Sequence, residues 1–187
     1  HYMKRTFDII FSLFCLIMLI IPIIIISIFI KTLTPGKVIY WSERVGIKNK
    51  LFLMSKFRTM KEDTPEIATD KLKNPNNYIT KLGKFLRKTS LDELPQIWNI
   101  LKGDMSFVGP RPALYNQYDL IKMRTNKGIH ELKPGLTGWA QINGRDNLSN
   151  EMKVNYDYEY LIKRNLFFDL KIIFLTFYKV FKQDQIL

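Results

Sequence analysis

The hydrophobic positions of the chain begin as one long run without charge. From Ile9 to Ile30, 22 residues carry no charged side chain. A straight α-helix of that length would measure about 33 Å, enough to cross the hydrocarbon core of a bilayer. Pro22 lies near the middle, where it removes a backbone donor and predicts an interruption of the helix. The run therefore predicts a membrane helix that is broken near its centre.

Positive charge flanks this run on both sides. The flanking basic residues are Lys4, Arg5, Lys31 and Lys37. Because both ends are basic, the preference for positive charge in the cytoplasm selects no orientation for a single span. A segment that bends at Pro22 and returns would place both ends on one face. We predict such a re-entrant helix over residues 1–31; a single span and a buried helix are the alternatives.

After a turn at 34–36 the pattern changes to short β-like runs. Lys37–Trp41 and Leu51–Phe57 are separated by a polar segment that contains the turn residues Gly46 and Asn49. This spacing predicts an antiparallel hairpin. The following Thr64–Asn77 segment is polar and rich in proline and asparagine, which predicts a loop.

Apolar residues at helical spacing dominate the rest of the chain. They predict helices over 78–90, 90–102 and 114–125. The C-terminal stretch 165–182 is dense in aromatic residues with lysines between them, which favours an amphipathic helix in the membrane interface over a core helix. The predicted fold class is α+β and mostly helical. It combines a re-entrant helix and a small hairpin with interfacial helices around a cytoplasmic-face active site.

Composition narrows the chemistry. Lysine and arginine total 29 against 17 acidic residues, a net charge of +12, which favours nucleic acid, anionic lipid or phosphorylated substrates as partners. The single cysteine, Cys15, and the two histidines, His1 and His130, exclude a disulfide framework and cysteine zinc sites. They also exclude the common catalytic triads unless His130 serves alone. Acidic and basic side chains must then carry any catalysis, and Mg²⁺ is the natural metal.

Two adjacent carboxylates stand out in the stretch TSLDELPQ (89–96). Ser90 and Glu93 fit a helix capping box, in which neither Asp92 nor Glu93 would do chemistry. Pro95 would disrupt a helix that starts at Ser90, so the helix is predicted to begin at Asp92 or to be distorted there. An ionised acid at a helix start lies where anions also bind.

A carboxylate that attacks a phosphate needs Mg²⁺ and cationic groups to offset the repulsion between like charges. The basic candidates are Lys56, Arg58, Arg87, Lys88, Arg111 and Arg145. Arg111 lies between Pro110 and Pro112, and this rigid setting suits bidentate phosphate binding.

Three motifs resemble one known family. KFRTM (56–60), LRKTSLDELPQIWNILKGDMSFVGPRP (86–112) and KPGLTGWAQINGR (133–145) are similar to the bacterial sugar transferases, the monotopic polyprenyl-phosphate phosphoglycosyl transferases. The resemblance implies transfer of sugar 1-phosphate from a UDP-sugar to undecaprenyl phosphate, with release of UMP. It places the enzyme at the cytoplasmic face of the bacterial inner membrane, as the first membrane step of glycan assembly. Residues 32–187 would form the catalytic domain.

The resemblance also implies residue roles. Asp92 would attack the β-phosphate, hold the sugar phosphate covalently and contact Mg²⁺, with Glu93 as its partner. Arg111 would bind phosphate, and Arg145 would lie near the nucleotide. The other phosphate-binding candidates are Lys56, Arg58 and Arg87. Membrane lipids are expected partners and nucleic acid is not, while monomer and homodimer both remain open.

The sequence departs from the family pattern at two positions. Ile21 precedes Pro22 where the family often has serine, and Ser42 stands where many members have glutamine. The segment 112–121 is most similar to capsule-initiating members that use N-acetylated 6-deoxy sugars. A UDP-linked sugar of that kind is the predicted substrate. A membrane-tethered binding module and an inactive scaffold subunit are alternatives that leave the acid pair unexplained.

Overall fold

The computed structural model describes residues 2–62, 64, 77–144 and 147–182. It opens with one long helix, α1 (Tyr2–Leu33), which is long and apolar enough to cross a membrane. The helix continues through Pro22, where the sequence predicted an interruption. A strongly apolar helix favours internal backbone hydrogen bonding on both sides of a proline, so that a single missing donor need not end it.

Two small sheets follow. β1 (Ile39–Val45) and β2 (Leu51–Phe57) form the predicted antiparallel hairpin, in register from Ile39 opposite Phe57 to Val45 opposite Leu51. β3 (Ser106–Val108) and β4 (Gly135–Thr137) pair in parallel. The second sheet was not predicted, because a three-residue strand is too short to show an alternating pattern.

The remaining elements are helical, which confirms the mostly helical α+β class. They are α2 (Lys81–Lys88), α3 (Gln96–Lys102), α4 (Tyr118–Asn126), α5 (Trp139–Ile142), α6 (Asn150–Lys163) and α7 (Leu166–Lys182). The helix predicted over 90–102 begins only at Gln96, so its start was predicted too early. The glycine-rich stretch 133–146 contains β4 and α5 and does not form one continuous loop. Most of the loop predicted at 64–77 lies outside the described residues.

Both ends of α1 pack on the rest of the molecule. At its first turns, Lys4 contacts Asp169, Arg5 donates to the carbonyls of Ile100 and Leu101 at the end of α3, and Asp8 accepts from Ser106 and Phe107 of β3. At its other end, Ile30 is buried against Phe57 and Leu86. Between these contacts the helix exposes apolar side chains, among them Ile10, Phe14, Ile17, Ile21, Ile25 and Ile28.

The main core lies between the parallel sheet and the helices that follow it. It includes Ile100, Met105, Val108, Ile129, Val154 and Ile172. The hairpin is held to α3 by one buried amide, Asn99. Its Oδ1 accepts from the backbone N and the Oγ of Ser55 at 3.0 and 2.8 Å, and its Nδ2 donates to the Leu53 carbonyl at 2.7 Å. These bonds fix β2 beside the segment that carries the acid pair.

The C-terminal helix α7 has two different faces. One face is buried and carries Ile172 and Asp169, while Phe167 and Phe174 on the other face are 85% and 70% exposed. The helix therefore contributes to the core and also presents aromatic residues to its surroundings. The helix therefore has features of both alternatives for residues 165–182, a core helix and an amphipathic helix with an exposed aromatic face.

Candidate active site

The acid pair lies in a single 3-10 turn, Leu91–Glu93, ahead of α3. Ser90 has a left-handed backbone (φ 57°, ψ 15°), and within the described part of the chain its hydroxyl makes no capping hydrogen bond. The capping-box interpretation is therefore wrong, because a capping serine needs an extended backbone. Pro95 occupies the N-cap position of α3, which suits a residue without a backbone donor. Asp92, where the helix was predicted to begin or to be distorted, therefore lies one turn upstream of the observed start of α3.

Both carboxylates are buried, with Asp92 7% and Glu93 9% exposed. Lys56, near the end of β2, lies between them. Its Nζ is 2.7 Å from Glu93 Oε1 and 3.7 Å from Asp92 Oδ2. Arg111 reaches the same Glu93 oxygen at 3.6 Å. Two of the predicted basic residues, Lys56 and Arg111, therefore meet at the acid pair.

Burial is the main influence on the nucleophile candidate. It raises the pKa of Asp92 above its ordinary value of 3.8, the Lys56 ammonium opposes that shift, and the neighbouring Glu93 charge adds to it. The charges of Arg87 and Arg111, like that of Lys56, act to lower the pKa of Asp92, but the effect of burial prevails. The carboxylate of Asp92 is thus poorly solvated when ionised, which favours its reaction with an electrophile.

The other basic candidates have different surroundings. Arg87 donates from Nε to Thr59 Oγ1 at 2.9 Å, and burial lowers its pKa while the charge of Asp92 opposes that shift. Arg58 binds the turn after α1 instead, donating to the carbonyl and hydroxyl oxygens of Thr34 at 2.9 and 3.0 Å. Arg145 lies outside the described residues.

A second ion pair supports the Arg111 loop. Arg124 of α4 donates from one terminal nitrogen to the Arg111 carbonyl at 2.8 Å. Its Nε and its other terminal nitrogen lie 2.9 and 2.7 Å from Asp157 Oδ2, and Asp157 is 1% exposed. The sequence reasoning missed this pair, because its members lie on separate helices and show no local motif.

A small cleft opens beside the acid pair. Its lining includes Arg44, Lys56, Glu93, Gln96, Arg111 and Gly135. Arg44 and Gln96 were not predicted. At Gly135, a Cβ atom would come within 2.1 Å of the Gly109 backbone nitrogen. The glycine thus permits the close approach of the segment after β3 to the start of β4.

The donor set suits a particular kind of metal. Among the described residues, there is no group of three or more histidine, cysteine or acidic side chains that could hold an ion. Asp92 and Glu93 offer two adjacent carboxylates with cationic groups around them. Such a set fits Mg²⁺, which commonly takes one or two protein carboxylates and fills its other positions with water and substrate phosphates.

Comparison with known proteins extends along nearly the whole chain. A family model described as bacterial sugar transferase matches residues 1–183. The UDP-glucose:undecaprenyl-phosphate glucose-1-phosphate transferase of Escherichia coli (strain K12) is 41% identical over 187 residues, covering 96% of this chain and 40% of that protein.

Two further relatives show the same likeness at different lengths. The uncharacterized sugar transferase EpsL of Bacillus subtilis (strain 168) is 41% identical over 187 residues, covering 98% of this chain and 90% of its own. The UDP-galactose-lipid carrier transferase of Erwinia amylovora is 38% identical over 201 residues, covering 98% and 41%. The chain therefore spans about two-fifths of the length of two of these curated relatives and nine-tenths of the other.

Proposed function

The chain belongs to the bacterial sugar transferase family, and from that premise we propose that it transfers sugar 1-phosphate from a UDP-sugar to undecaprenyl phosphate. The products would be undecaprenyl-diphosphate-sugar and UMP. The Escherichia coli relative is named for such a transfer from UDP-glucose. The observation that carries the proposal is the buried pair Asp92 and Glu93, with Lys56 and Arg111 at its oxygens.

In the first step, a carboxylate oxygen of Asp92 attacks the β-phosphorus of the UDP-sugar. The bond between that phosphorus and the oxygen bridging to UMP breaks, and UMP leaves with the bonding electrons. The sugar phosphate stays on Asp92 as an acyl phosphate. Burial supports this role because the anion at Asp92 is poorly solvated, and Lys56 and Arg111 are placed to offset charge on the phosphoryl oxygens.

In the second step, an oxygen of undecaprenyl phosphate attacks the same phosphorus. The bond to Asp92 breaks and restores the carboxylate. Glu93 either assists the lipid phosphate or orients Asp92, and its contacts with Lys56 and Arg111 suit both roles. Asp92, together with Glu93, would hold Mg²⁺, which when bound supplies positive charge for the diphosphate oxygens.

The packing of α1 supports a re-entrant anchor. In a straight helix, Lys4 and Ile30 would lie about 39 Å apart along the axis, yet both ends contact the same folded domain. A span would separate the two ends across the bilayer. We infer that α1 enters and leaves on the cytoplasmic face of the inner membrane, with the exposed aromatic face of α7 in the interface.

The sugar is inferred from the sequence. Segment 112–121 is most similar to members that use N-acetylated 6-deoxy sugars, so a UDP-linked N-acetylated 6-deoxy-hexosamine is the proposed donor. A screen of UMP release against a panel of UDP-sugars, with undecaprenyl phosphate and Mg²⁺, tests this choice. Faster release from UDP-glucose or UDP-galactose would contradict it.

The covalent step has its own test. The purified protein is incubated with a UDP-sugar labelled in the β-phosphate, without acceptor, and protein-bound label is measured. We expect label on the parent protein and on Asp119→Asn, which changes an exposed aspartate of α4, but none on Asp92→Asn. Full turnover by Asp92→Asn would show that another group is the nucleophile.

The anchor is tested by labelling from each side of the membrane. Cys15 is first replaced by serine. One variant of this protein then carries a cysteine added at the N-terminus, and a separate variant carries a cysteine in place of the exposed Lys50 of the hairpin turn. A re-entrant helix predicts that both cysteines react from the cytoplasmic side. Reaction from opposite sides would establish a span.

A further inference from the structure

We propose that Arg44 is a second phosphate-binding arginine of the cleft, working beside Arg111 and positioned by Ser42. This inference rests on the proposed transfer function. It names a binding residue outside the motifs that identified the acid pair. The ligand group is a phosphate of one of the two substrates.

The position of Arg44 is set by the hairpin and by the loop that carries Arg111. Its Nε donates to Ser42 Oγ at 3.0 Å, and a terminal nitrogen donates to the Pro112 carbonyl at 3.4 Å. A backbone hydrogen bond joins the same two segments, because Val45 N donates to the Ala113 carbonyl at 2.9 Å. Arg44 is therefore joined to the segment that follows Arg111, and the two guanidinium groups line one cleft.

The charge of the cleft favours an anion. Among the described residues that line it, three are cationic and one is acidic: Arg44, Lys56, Arg111 and Glu93. Glu93 Oε1 lies 2.7 Å from Lys56 and 3.6 Å from Arg111. Three cations against one carboxylate leave the lining of the cleft with a net positive charge. Guanidinium groups suit phosphate because their planar donors can bind two oxygens at once.

The proposed reaction presents more phosphate groups than Arg111 alone can bind. The attacked β-phosphate lies between two others during the cycle: the α-phosphate that leaves with UMP and the phosphate of the lipid acceptor. Glu93 and Arg44 both line the cleft, so one of these two phosphates is the ligand for Arg44. Both present anionic phosphate oxygens that a guanidinium can bind, and kinetic experiments distinguish the donor from the acceptor as the source.

Ser42 is a second residue at which the role of Arg44 can be tested. It is buried, and its hydroxyl accepts from Arg44 Nε. Loss of this acceptor would allow the guanidinium of Arg44 to move, so Ser42 acts as a positioning residue.

The test separates the two half-reactions. Covalent labelling without acceptor is measured against UDP-sugar concentration, and steady-state UMP release is measured against undecaprenyl phosphate. The variants are Arg44→Gln and Arg44→Lys. Lys50→Gln is the matched control, because it removes one positive charge from the same hairpin at an exposed position.

We expect Arg44→Gln to raise the half-saturating concentration of one substrate by about 10- to 100-fold, as for the loss of a hydrogen bond to a charged group. A rise confined to the labelling reaction assigns Arg44 to the α-phosphate of the donor. A rise confined to undecaprenyl phosphate assigns it to the acceptor. Arg44→Lys should restore part of the loss, because it keeps the charge without the planar fork, and Lys50→Gln should match the parent.

Ser42→Ala, which removes the acceptor of Arg44 Nε without enlarging a buried side chain, should shift the half-saturation for the same substrate while the thermal midpoint stays near that of the parent. The inference is overturned if Arg44→Gln and Arg44→Lys leave both half-saturating concentrations unchanged, or if only kcat falls. A parent protein that neither takes label nor releases UMP overturns the proposed function instead, and this inference with it.

Discussion

Asp92 and Asp157 are both buried, and burial raises the pKa of each. Their partners differ. Asp157 Oδ2 lies within 2.9 Å of two nitrogens of Arg124, whereas the ammonium paired with Asp92 is 3.7 Å away and lies closer to Glu93. Burial alone therefore does not distinguish the two carboxylates. The geometry of the partner does, because Asp157 is held by close donors whereas Asp92, the proposed nucleophile, is more loosely paired.

The two regions are connected. Arg124, which binds Asp157, also donates to the carbonyl of Arg111, and Arg111 reaches Glu93. The Arg124–Asp157 pair thus supports the backbone of the segment that carries Arg111 to the acid pair. Changes in the two regions should separate loss of activity from loss of stability.

The largest effect is expected at Asp92. Asp92→Asn should lower the rate of UMP release on the order of 10⁴-fold, since removal of a nucleophile has effects of this size. Its thermal midpoint should equal or exceed that of the parent, because a buried and incompletely paired charge is removed. Assays of UMP release and thermal unfolding on the same preparations check both statements. An Asp92→Asn variant that loses activity and also melts well below the parent would contradict the contrast between Asp92 and Asp157.

Asp157→Ala, in contrast, should chiefly lower the stability of the fold. Removing one member of a buried pair leaves Arg124 uncompensated and should cost about 3–5 kcal/mol of unfolding free energy. Denaturant unfolding in detergent measures it. The double variant Arg124→Met with Asp157→Leu should lose less, and Glu151→Ala, at an exposed position of α6, should stay close to the parent. A loss at Asp157 no larger than at Glu151 would refute the structural role.

Arg124→Lys tests the link between the regions. It keeps a charge for Asp157 but loses the second donor arm that holds the Arg111 carbonyl. Activity should fall about 10-fold, in line with one lost hydrogen bond, while the free energy of unfolding falls by only about 1 kcal/mol. Lys122→Gln, at an exposed position on the same helix, is the control. Unchanged activity in Arg124→Lys would mean that the Arg111 loop holds its position without Arg124.

The smallest effect is a dependence on pH, measured with a chelator present. Because the folded protein raises the pKa of Asp92 above 3.8, it favours the protonated acid. The stability from this preference is present below that ordinary value and is lost as pH rises through the raised pKa. Asp92→Asn lacks this loss, so its thermal midpoint should gain a few degrees on the parent as pH increases. Glu62→Gln, at an exposed position, should show no such trend, and a constant difference for Asp92→Asn would argue against the raised pKa.

The sequence predicted the features that depend on contiguous patterns. The charge-free run became α1, the two alternating runs became the hairpin, and the motifs brought Lys56 and Arg111 to the acid pair. These features follow from periodicity or from residues within the motifs that carry the family resemblance. The division of α7 into a buried face with Ile172 and an exposed aromatic face was not predicted.

Features that depend on packing between distant segments were not predictable. No local pattern indicates that Arg124 reaches the Arg111 carbonyl or that Arg44 enters the cleft, since each contact forms only when separate elements pack. Arg58 shows the converse. Its motif suggested phosphate binding, but its described hydrogen bonds hold the turn after α1. The serine at position 90 likewise matched a capping pattern that its left-handed backbone prevents from forming.

The short helix α3 connects the membrane helix α1 with the acid pair. Arg5 of the membrane helix donates to the carbonyls of Ile100 and Leu101 near one end, and the acid pair directly precedes the other. With 7 residues, α3 is about 10 Å long. It thus sets the distance between the acid pair and the first turn of α1. Under the proposed function, this fixed distance would hold the acid pair at a constant depth relative to the phosphate of the lipid acceptor.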